Sequence, residues 1–273
     1  LHTPSCVAAT QAAGLLQVIK NGSDLKPFNA GQAALNGLVA ATMGQAGYTG
    51  PPDVFSGEHG LLSMLSDQLN ISELTTMNTK AAAIHGIYVK PYAACRHCHP
   101  AIEAALQLRE CQEFDVKKIQ SIRVETYALA VKFHDHNEVI NIADARMSTP
   151  YSVAAALRYG SAGIEVFTAT ALSDGELARI RGKVEVTENK AFSERVPHER
   201  AARVTINFKD GQAIDHTILF PRGEPENPLQ SDEHLKKFEG LCNHAGLDDS
   251  KINKIISYVS GEKVGISELY ATL

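Results

Sequence analysis

The sequence lacks the features that mark secreted, membrane-spanning and nucleic-acid-binding proteins. Its five cysteines are scattered and odd in number, which is typical of a reduced cytoplasmic protein and not of a disulfide scaffold. No apolar run approaches the length of a membrane span. Lysine and arginine total 26 against 31 acidic residues, and a net charge of −5 argues against a general nucleic-acid binder. The sequence therefore predicts a cytoplasmic protein whose partner is neither a membrane nor a nucleic acid.

The chain is long enough for one large domain or two ordinary ones, and its pattern changes along its length. It has 273 residues, of which 44% are hydrophobic and 21% charged, as is normal for a globular protein. Residues 3–20 and 31–47 favour helices, and the small residues of the second predict that it is buried among other helices. A turn is predicted between them. Strands are predicted in residues 119–133, 183–189, 202–211 and 212–221, with further helices between them and after them.

The richest chemistry lies in residues 87–105, IYVKPYAACRHCHPAIEAA. Three interpretations of it are open: a haem attachment site, a metal site, or a cationic turn that binds anions. Residues 95–99 match C-x-x-C-H, the attachment pattern of c-type haem. A pattern this short also arises by chance in a chain with five cysteines and eleven histidines. We therefore expect no haem.

A zinc site needs four protein ligands, or three and a water molecule. Cys95 and Cys98 would supply two ligands and His97 or His99 a third, but no second pair follows at zinc-finger spacing. A redox dithiol is a further alternative, although that motif normally accompanies a βαβ unit. The simplest interpretation is that both cysteines are small buried groups. We expect neither a metal nor any other cofactor.

The third interpretation places cations at the start of a helix. Pro91 biases Lys90 toward an extended backbone, and helical spacing of apolar residues begins after Pro100, which suits a first helical turn. Backbone N–H groups at a helix start attract anions. Together with Lys90 and Arg96, they would bind a carboxylate or a phosphate. From spacing alone, a solvated basic turn beside a buried histidine is an equally good interpretation.

Three segments, in this order, resemble the motifs of one enzyme family. Residues 24–60 resemble K-x-x-x-x-G-x-A-A-x-x-G with a following G-x-x-G-P loop, and residues 89–106 resemble K-x-Y-x-x-C-R-x-x-H-x-x-I-x-A. Residues 143–157 resemble A-R-x-S-x-x-Y-x-x-A-x-A-L. The family is MmgE/PrpD, which includes 2-methylcitrate dehydratases, cis-aconitate decarboxylases and iminodisuccinate epimerases. The resemblance covers most of the chain.

The resemblance implies an α+β multidomain fold, in which an all-helical domain and a smaller α+β lid enclose the active site. We expect residues 1–86 to belong to the helical domain, 87–222 to the lid, and 223–273 to return to the helical domain. Family members are longer, so we expect this chain to lack their N-terminal helical segment and its acid/base residues. A fragment, a processed product and one half of a split protein are the alternatives.

The reactions of the family share one step, the loss or gain of a proton at a carbon next to a carboxylate. Decarboxylation forms the equivalent carbanion. A lysine acts as such a base when burial and neighbouring cations lower its pKa. The resemblance implies acid/base roles for Lys90, Lys26 and His99, and a bidentate carboxylate contact for Arg96. It adds four substrate-binding candidates: Cys95, His97, Arg146 and Ser148.

Further side chains near these motifs are expected to matter less. Tyr151 is expected to pack in the core. His134 and His136 are expected to end the first lid strand, either pointing into the cleft or lying in a solvated loop. Cys95 stands where some relatives have histidine, which disfavours decarboxylation.

We therefore expect a cofactor-independent lyase or isomerase that dehydrates or epimerises a small di- or tricarboxylate. The alternative is a non-catalytic fragment or subunit that needs a partner chain to complete the fold. An incomplete cleft would expose apolar helix surface, which favours association. We accordingly expect a homodimer, or a complex with a chain that supplies the missing half.

Overall fold

A computed structural model describes residues 2–12, 14, 15, 25–68, 72, 83–112, 114–261 and 267. The chain forms two compact units, Leu1–His85 and Gly86–Leu273. Helices dominate and a small mixed sheet accompanies them, which confirms the predicted α+β class. The assignment of residues 223–273 to the helical domain stays a prediction. Within the described part of the chain, no helix is both long enough and apolar enough to cross a bilayer.

The helices of the first unit are α1 (His2–Thr10), α2 (Leu25–Gln45) and α3 (Leu61–Leu65). The prediction of one helix over residues 3–20 is wrong, because α1 ends at Thr10. Gly14 lies at φ +120°, a backbone conformation that an α-helix does not adopt. The last five residues of that prediction lie outside the described residues.

Helix α2 differs from its prediction at its start and in its surroundings. It begins at Leu25, six residues earlier than expected, with Pro27 in its first turn, where proline is tolerated. The prediction of a buried helix is wrong within the described part of the chain, because along α2 only Ala40 is buried. The large apolar side chains that α2 exposes are Leu25, Phe28, Leu35, Leu38 and Val39.

The second unit is built around four strands, β1 (Ile119–Thr126), β2 (Val184–Glu188), β3 (Ala202–Phe208) and β4 (Ala213–Ile218). Their order is β2-β1-β3-β4, with β1 and β2 parallel and the other pairs antiparallel. The predicted hairpin at Asp210-Gly211 is confirmed, since β3 and β4 pair around it. Burial alternates along β3, so one face of the sheet belongs to the core.

The strand predicted over residues 119–133 is half wrong. Strand β1 ends at Thr126, and helix α5 (Ala128–His134) follows after Tyr127. The residues after Tyr127 include alanine, leucine and lysine, which are good helix formers. The amide of Ala128 donates to Ser193 Oγ at 2.9 Å, which satisfies one of the first-turn N–H groups. His134 therefore ends a helix and not a strand.

Two helices carry much of the core that covers the sheet. Helix α4 (His99–Arg109) contacts β3 and β4, and helix α7 (Thr149–Tyr159) contacts α4 and β2. Tyr151 on α7 is fully buried, and its hydroxyl donates to the carbonyl of Val166, so its predicted packing role is confirmed. The other helices of this unit are α6 (Ile142–Ala145), α8 (Ala169–Leu172), α9 (Gly175–Arg181), α10 (Lys190–Ser193), α11 (Ser231–His244) and α12 (Asp249–Ser260).

Candidate active site

The segment that carries Lys90 is held in place by its backbone. The amide of Val89 donates to the carbonyl of Gly223 at 2.8 Å. Gly223 lies at φ +93°, and a Cβ at this position would collide with the carbonyl oxygen of Val89. Glycine is therefore needed where these two segments of the chain cross, and the crossing fixes the start of the Lys90 segment.

Two further backbone bonds fix the rest of this segment. The amide of Ala93 donates to the carbonyl of Ala162 at 2.9 Å, and the amide of Cys95 donates to the carbonyl of Arg146 at 2.7 Å. Lys90 therefore lies between two fixed points of the second unit. The second bond also connects two of the motif segments, 89–106 and 143–157.

A short 3₁₀ turn, Arg96–Cys98, runs directly into helix α4. Pro100 occupies the first turn of the helix, as predicted. The amide of Cys98 already donates to the carbonyl of Cys95, and Cys98 and His99 are buried. This helix start is therefore closed to solvent, which disfavours an anion site formed by its backbone N–H groups. Lys90 and Arg96, the two cations of this segment, instead line two different cavities.

Lys90 lines a cavity of about 620 Å³ in the second unit. Opposite it, helix α11 contributes Lys236 and Lys237, so three ammonium groups face this space. Lys236 pairs with Asp232 at 3.3 Å. Among the described residues, neither Lys90 nor Lys237 has an ion-pair partner. Sequence reasoning missed both lysines of α11, because on a polar closing helix they resemble an ordinary solvated face.

The carboxylates that line the same cavity are already engaged. Glu233 accepts from the guanidinium of Arg222 through both of its oxygens. Glu165 accepts a hydrogen bond from the hydroxyl of Ser161. Arg222 holds the pKa of the Glu233 carboxyl down at about 2. The unpaired ammonium groups therefore leave the cavity with a surplus of positive charge.

Lys237 shows the effect of this surplus directly. Burial lowers the pKa of its ammonium group, and the nearby charge of Lys90 lowers it further. An anion that lies between the two lysines would relieve their repulsion. The cavity is therefore suited to a small molecule that carries carboxylates.

Arg96 lines a different cavity, of about 410 Å³, which Lys90 does not reach. It is buried and forms an ion pair with Glu224, and its guanidinium lies 4.8 Å from the ring centre of Tyr88. Burial lowers the pKa of Arg96, and the charge of Arg200 adds to this. The structure thus places the predicted carboxylate clamp against a carboxylate of the protein itself.

His99 lies inside the unit. Its Nε2 contacts the carbonyl of Ala94 at 3.3 Å, and its ring meets the edge of the Tyr92 ring at 5.2 Å. Since a carbonyl only accepts, Nε2 carries the proton and donates. Burial lowers the pKa of His99 to about 3, so the ring is neutral near pH 7. This environment favours the alternative that His99 is a structural residue of the interior.

Ser148 and Arg146 organise the start of helix α7. Ser148 is the N-cap, whose Oγ accepts from the amide of Tyr151 at 3.1 Å and donates to the carbonyl of His136 at 2.7 Å. Arg146 receives the amide of Cys95 on its carbonyl oxygen. Within the described residues, the buried Nε of Arg146 has no hydrogen-bond partner. The expected substrate contacts of these two residues stay predictions.

The two cysteines of the zinc alternative lie in different environments. Cys98 is fully buried, its thiol accepts from Thr149 Oγ1, and burial raises its pKa to about 12. Cys98 is therefore a packing residue, as expected. Cys95 instead lies beside His97 and His134, and one ligand atom from each of these three lies within 4.8 Å of the others. His134 was expected at a cleft or in a loop, but it is buried.

Lys26 lies in the first turn of α2, in the first unit, and its side chain is exposed. Its expected position in a cleft facing Lys90 stays a prediction. All five cysteines fall within the described residues, and no two of them form a disulfide.

Comparisons with known proteins connect the sequence of this chain to one family. Residues 92–260 match the MmgE/PrpD C-terminal domain, and residues 5–74 match the MmgE/PrpD N-terminal domain. Together the two matches cover most of the chain, including helix α4 and the lysines of α11, and Lys90 lies between the two matched ranges.

Two of the curated relatives named here are similar over nearly the whole chain, and a third over about half of it. The cis-aconitate decarboxylase-like protein oryM of Aspergillus oryzae is 27% identical, over 98% of this chain and 58% of that protein. The cis-aconitate decarboxylase of Aspergillus terreus is 25% identical, over 93% of this chain and 55% of that protein. The mitochondrial 2-methylcitrate dehydratase of Yarrowia lipolytica is 30% identical over 46% of this chain. The chain thus spans a little over half the length of the two decarboxylase relatives.

Proposed function

The chain belongs to the MmgE/PrpD family, and from that premise we propose that it is part of a lyase or isomerase. Its substrate is a small di- or tricarboxylic acid, and its chemical step is proton transfer at a carbon next to a carboxylate. The observation that carries the proposal is the cavity in which Lys90 faces Lys236 and Lys237.

The charges of this cavity suit such a substrate. A carboxylate beside Lys237 offsets the positive charge that burial and the nearby Lys90 disfavour. Lys236 lines the same cavity and adds positive charge to it, although its ammonium group is already paired with Asp232. The volume of about 620 Å³ leaves room for such an acid and for water.

Lys90 is the proposed base. In its neutral form, the Lys90 amine takes the proton from the carbon, and the electron pair moves toward the neighbouring carboxylate. Positive charge beside that carboxylate stabilises the negative charge that develops there, which is the role proposed for Lys237. In a dehydration the hydroxyl on the next carbon then takes a proton from protonated Lys90 and leaves as water. In an epimerisation a water molecule donates a proton to the opposite face of the carbon, and the hydroxide that remains takes the proton of Lys90.

The reaction within the family is decided by assay. The relatives that span more than 90% of this chain are cis-aconitate decarboxylases and a decarboxylase-like protein, whereas Cys95 favours dehydration or epimerisation by resemblance. The full chain should be incubated with cis-aconitate, with 2-methylcitrate and with a panel of dicarboxylates. Release of carbon dioxide, loss of water and inversion at carbon give three separable products.

Exchange of the substrate proton tests the proposed step itself. In deuterium oxide, a base that removes the proton next to a carboxylate replaces it with deuterium, which NMR detects without net turnover. Lys90→Ala should abolish the exchange, and Lys190→Ala, at an exposed lysine, should not. If the unmodified chain shows no exchange and no turnover with any acid, the proposal fails for the chain on its own.

The second candidate function is a subunit that requires a partner chain. The observation that favours it is the row of exposed apolar side chains on α2, which costs free energy in water. We propose a homodimer, or a complex with a chain that completes the helical unit. Light scattering of the full chain separates a monomer from a dimer, and turnover that appears only after addition of a partner favours the complex.

A further inference from the structure

We infer that Cys95, His97 and His134 form a binding site for a thiophilic divalent metal ion such as Zn²⁺. One ligand atom from each residue lies within 4.8 Å of the other two. Thiolate and imidazole are the side chains that zinc prefers, and three such ligands leave a fourth position for water. This inference does not depend on the proposed lyase activity.

The distance between two of the ligands already fits a bound ion. Cys95 Sγ lies 3.5 Å from His134 Nε2. In tetrahedral zinc sites the metal lies about 2.3 Å from sulfur and about 2.0–2.1 Å from nitrogen, which places the two ligand atoms about 3.5–3.6 Å apart. An ion therefore fits between Cys95 and His134 without moving either side chain far.

The ring of His134 is oriented as metal ligands usually are. Its Nδ1 lies 2.8 Å from the carbonyl oxygen of Met147, and a carbonyl can only accept. Nδ1 therefore carries the proton, and Nε2 presents its lone pair toward Cys95. A second ring nitrogen that donates to a backbone carbonyl is the common support of a metal-bound histidine. Without an ion, the same lone pair accepts the thiol hydrogen of Cys95, and a metal ion would take the place of that proton.

His97 is held in a similar way. Its Nδ1 lies 2.5 Å from the hydroxyl of Tyr127, whose side chain is buried. Its ring stacks on the ring of His134, with the ring centres 5.1 Å apart. Tyr127 is therefore a positioning residue that fixes one ligand ring against the other.

The cluster is placed so that an ion can enter it from solvent and can stabilise the folded unit. Cys95 and His97 are half-buried, so the cluster is reachable from solvent, while His134 anchors it from the interior. Cys95 and His97 belong to the turn before α4, and His134 ends α5. A bound ion would join these two elements and so stabilise the folded unit.

The test is metal binding by the full chain after treatment with a chelator. Dialysis against zinc chloride, followed by elemental analysis, should give one equivalent per chain. Cobalt(II) should give a thiolate-to-cobalt absorption band in the near ultraviolet and the visible bands of a tetrahedral site. Zinc should also raise the unfolding temperature of the stripped chain. Tyr127→Phe should weaken binding by about 10- to 100-fold.

Single substitutions test which residues bind the ion. Cys95→Ser should remove both the equivalent of zinc and the thiolate band, and His134→Asn should do the same if its fold survives. Cys111→Ser, at an exposed thiol on another part of the unit, should change neither. The inference is overturned if the chain takes up no equivalent of zinc, if Cys95→Ser binds normally, or if the band persists in that variant. Because Cys95 is half-buried, this variant should fold and the test does not rest on His134.

Discussion

Arg96 and Glu224 form an ion pair that is nearly closed to solvent, with side chains that are 9% and 10% exposed. The pair ties the turn before α4 to the segment that follows β4. The family resemblance predicts that Arg96 binds substrate, but the carboxylate of Glu224 already pairs with its guanidinium. Replacement of Arg96 should therefore lower stability more than it lowers substrate affinity.

Arg96→Ala should lower the free energy of unfolding by about 3–5 kcal/mol, because it leaves Glu224 buried without a countercharge. Arg195→Ala is the matched control, since its pair with Glu199 is more open to solvent, with side chains 50% and 25% exposed, and surface pairs contribute at most about 1 kcal/mol. Urea denaturation measures both. Unchanged stability together with a large rise in KM would instead establish Arg96 as the substrate clamp that the sequence suggested.

Lys90→Ala should lower turnover by at least about 100-fold, since general bases contribute 10²–10⁴-fold to rates. Its side chain faces the cavity, so circular dichroism and the unfolding temperature should stay near those of the unmodified chain. The measurement is steady-state turnover on the best acid of the panel. Near-normal rates in a folded Lys90→Ala protein would remove Lys90 from the mechanism.

Lys237→Ala should raise KM by about 10- to 100-fold, which corresponds to the loss of a charge-assisted hydrogen bond. Lys236→Ala serves as the control on the same helix. Its side chain is 75% exposed and its ammonium group pairs with Asp232, so the rise in KM should be smaller. Equal effects of the two substitutions would show that α11 contributes only general positive charge and no specific contact.

The sequence predicted the features that depend on neighbouring residues. Pro100 marked the start of α4, Asp210-Gly211 marked the hairpin, and the amphipathic spacing of the closing helices marked α11 and α12. In each case the signal lies within about one helical turn or one strand. The motif resemblance also identified Lys90, whose position in the cavity no local pattern reveals.

The features that the sequence could not predict depend on long-range contacts. Lys237 and Lys90 are neighbours only because α11 packs beside the Lys90 segment, and no local pattern records that approach. His134 joins Cys95 from 39 positions away, on a helix that was predicted to be a strand. His99 is a candidate proton carrier by resemblance, and only its burial shows why it stays neutral.

The position of Lys237 depends on how α11 is anchored at its first turn. Glu233 accepts from the backbone amide of Gln230 in a capping box and from the guanidinium of Arg222. Arg222 donates its own amide to Glu103 on α4. One carboxylate thus caps the helix and ties it to the remainder of the unit. The ion pair with Arg222 requires Glu233 to be ionised, whereas the capping contact needs only an acceptor oxygen.

Glu233→Gln should therefore lower the unfolding temperature at pH 7, by about 2–4 °C if the loss is near 1 kcal/mol. The pKa of Glu233 falls from 4.5 to about 2 in the folded chain, chiefly because of Arg222. The folded state thus binds this proton less readily than the unfolded state. The stabilisation is complete above about pH 4.5 and disappears as the pH falls toward 2.

Thermal scans of the unmodified chain and of Glu233→Gln should accordingly converge between pH 4.5 and pH 2. The control is Glu226→Gln, at an exposed carboxyl, whose unfolding temperature should match that of the unmodified chain at every pH. A difference for Glu233→Gln that stays constant from pH 7 to pH 3 would show that the charge of Glu233 does not hold the helix.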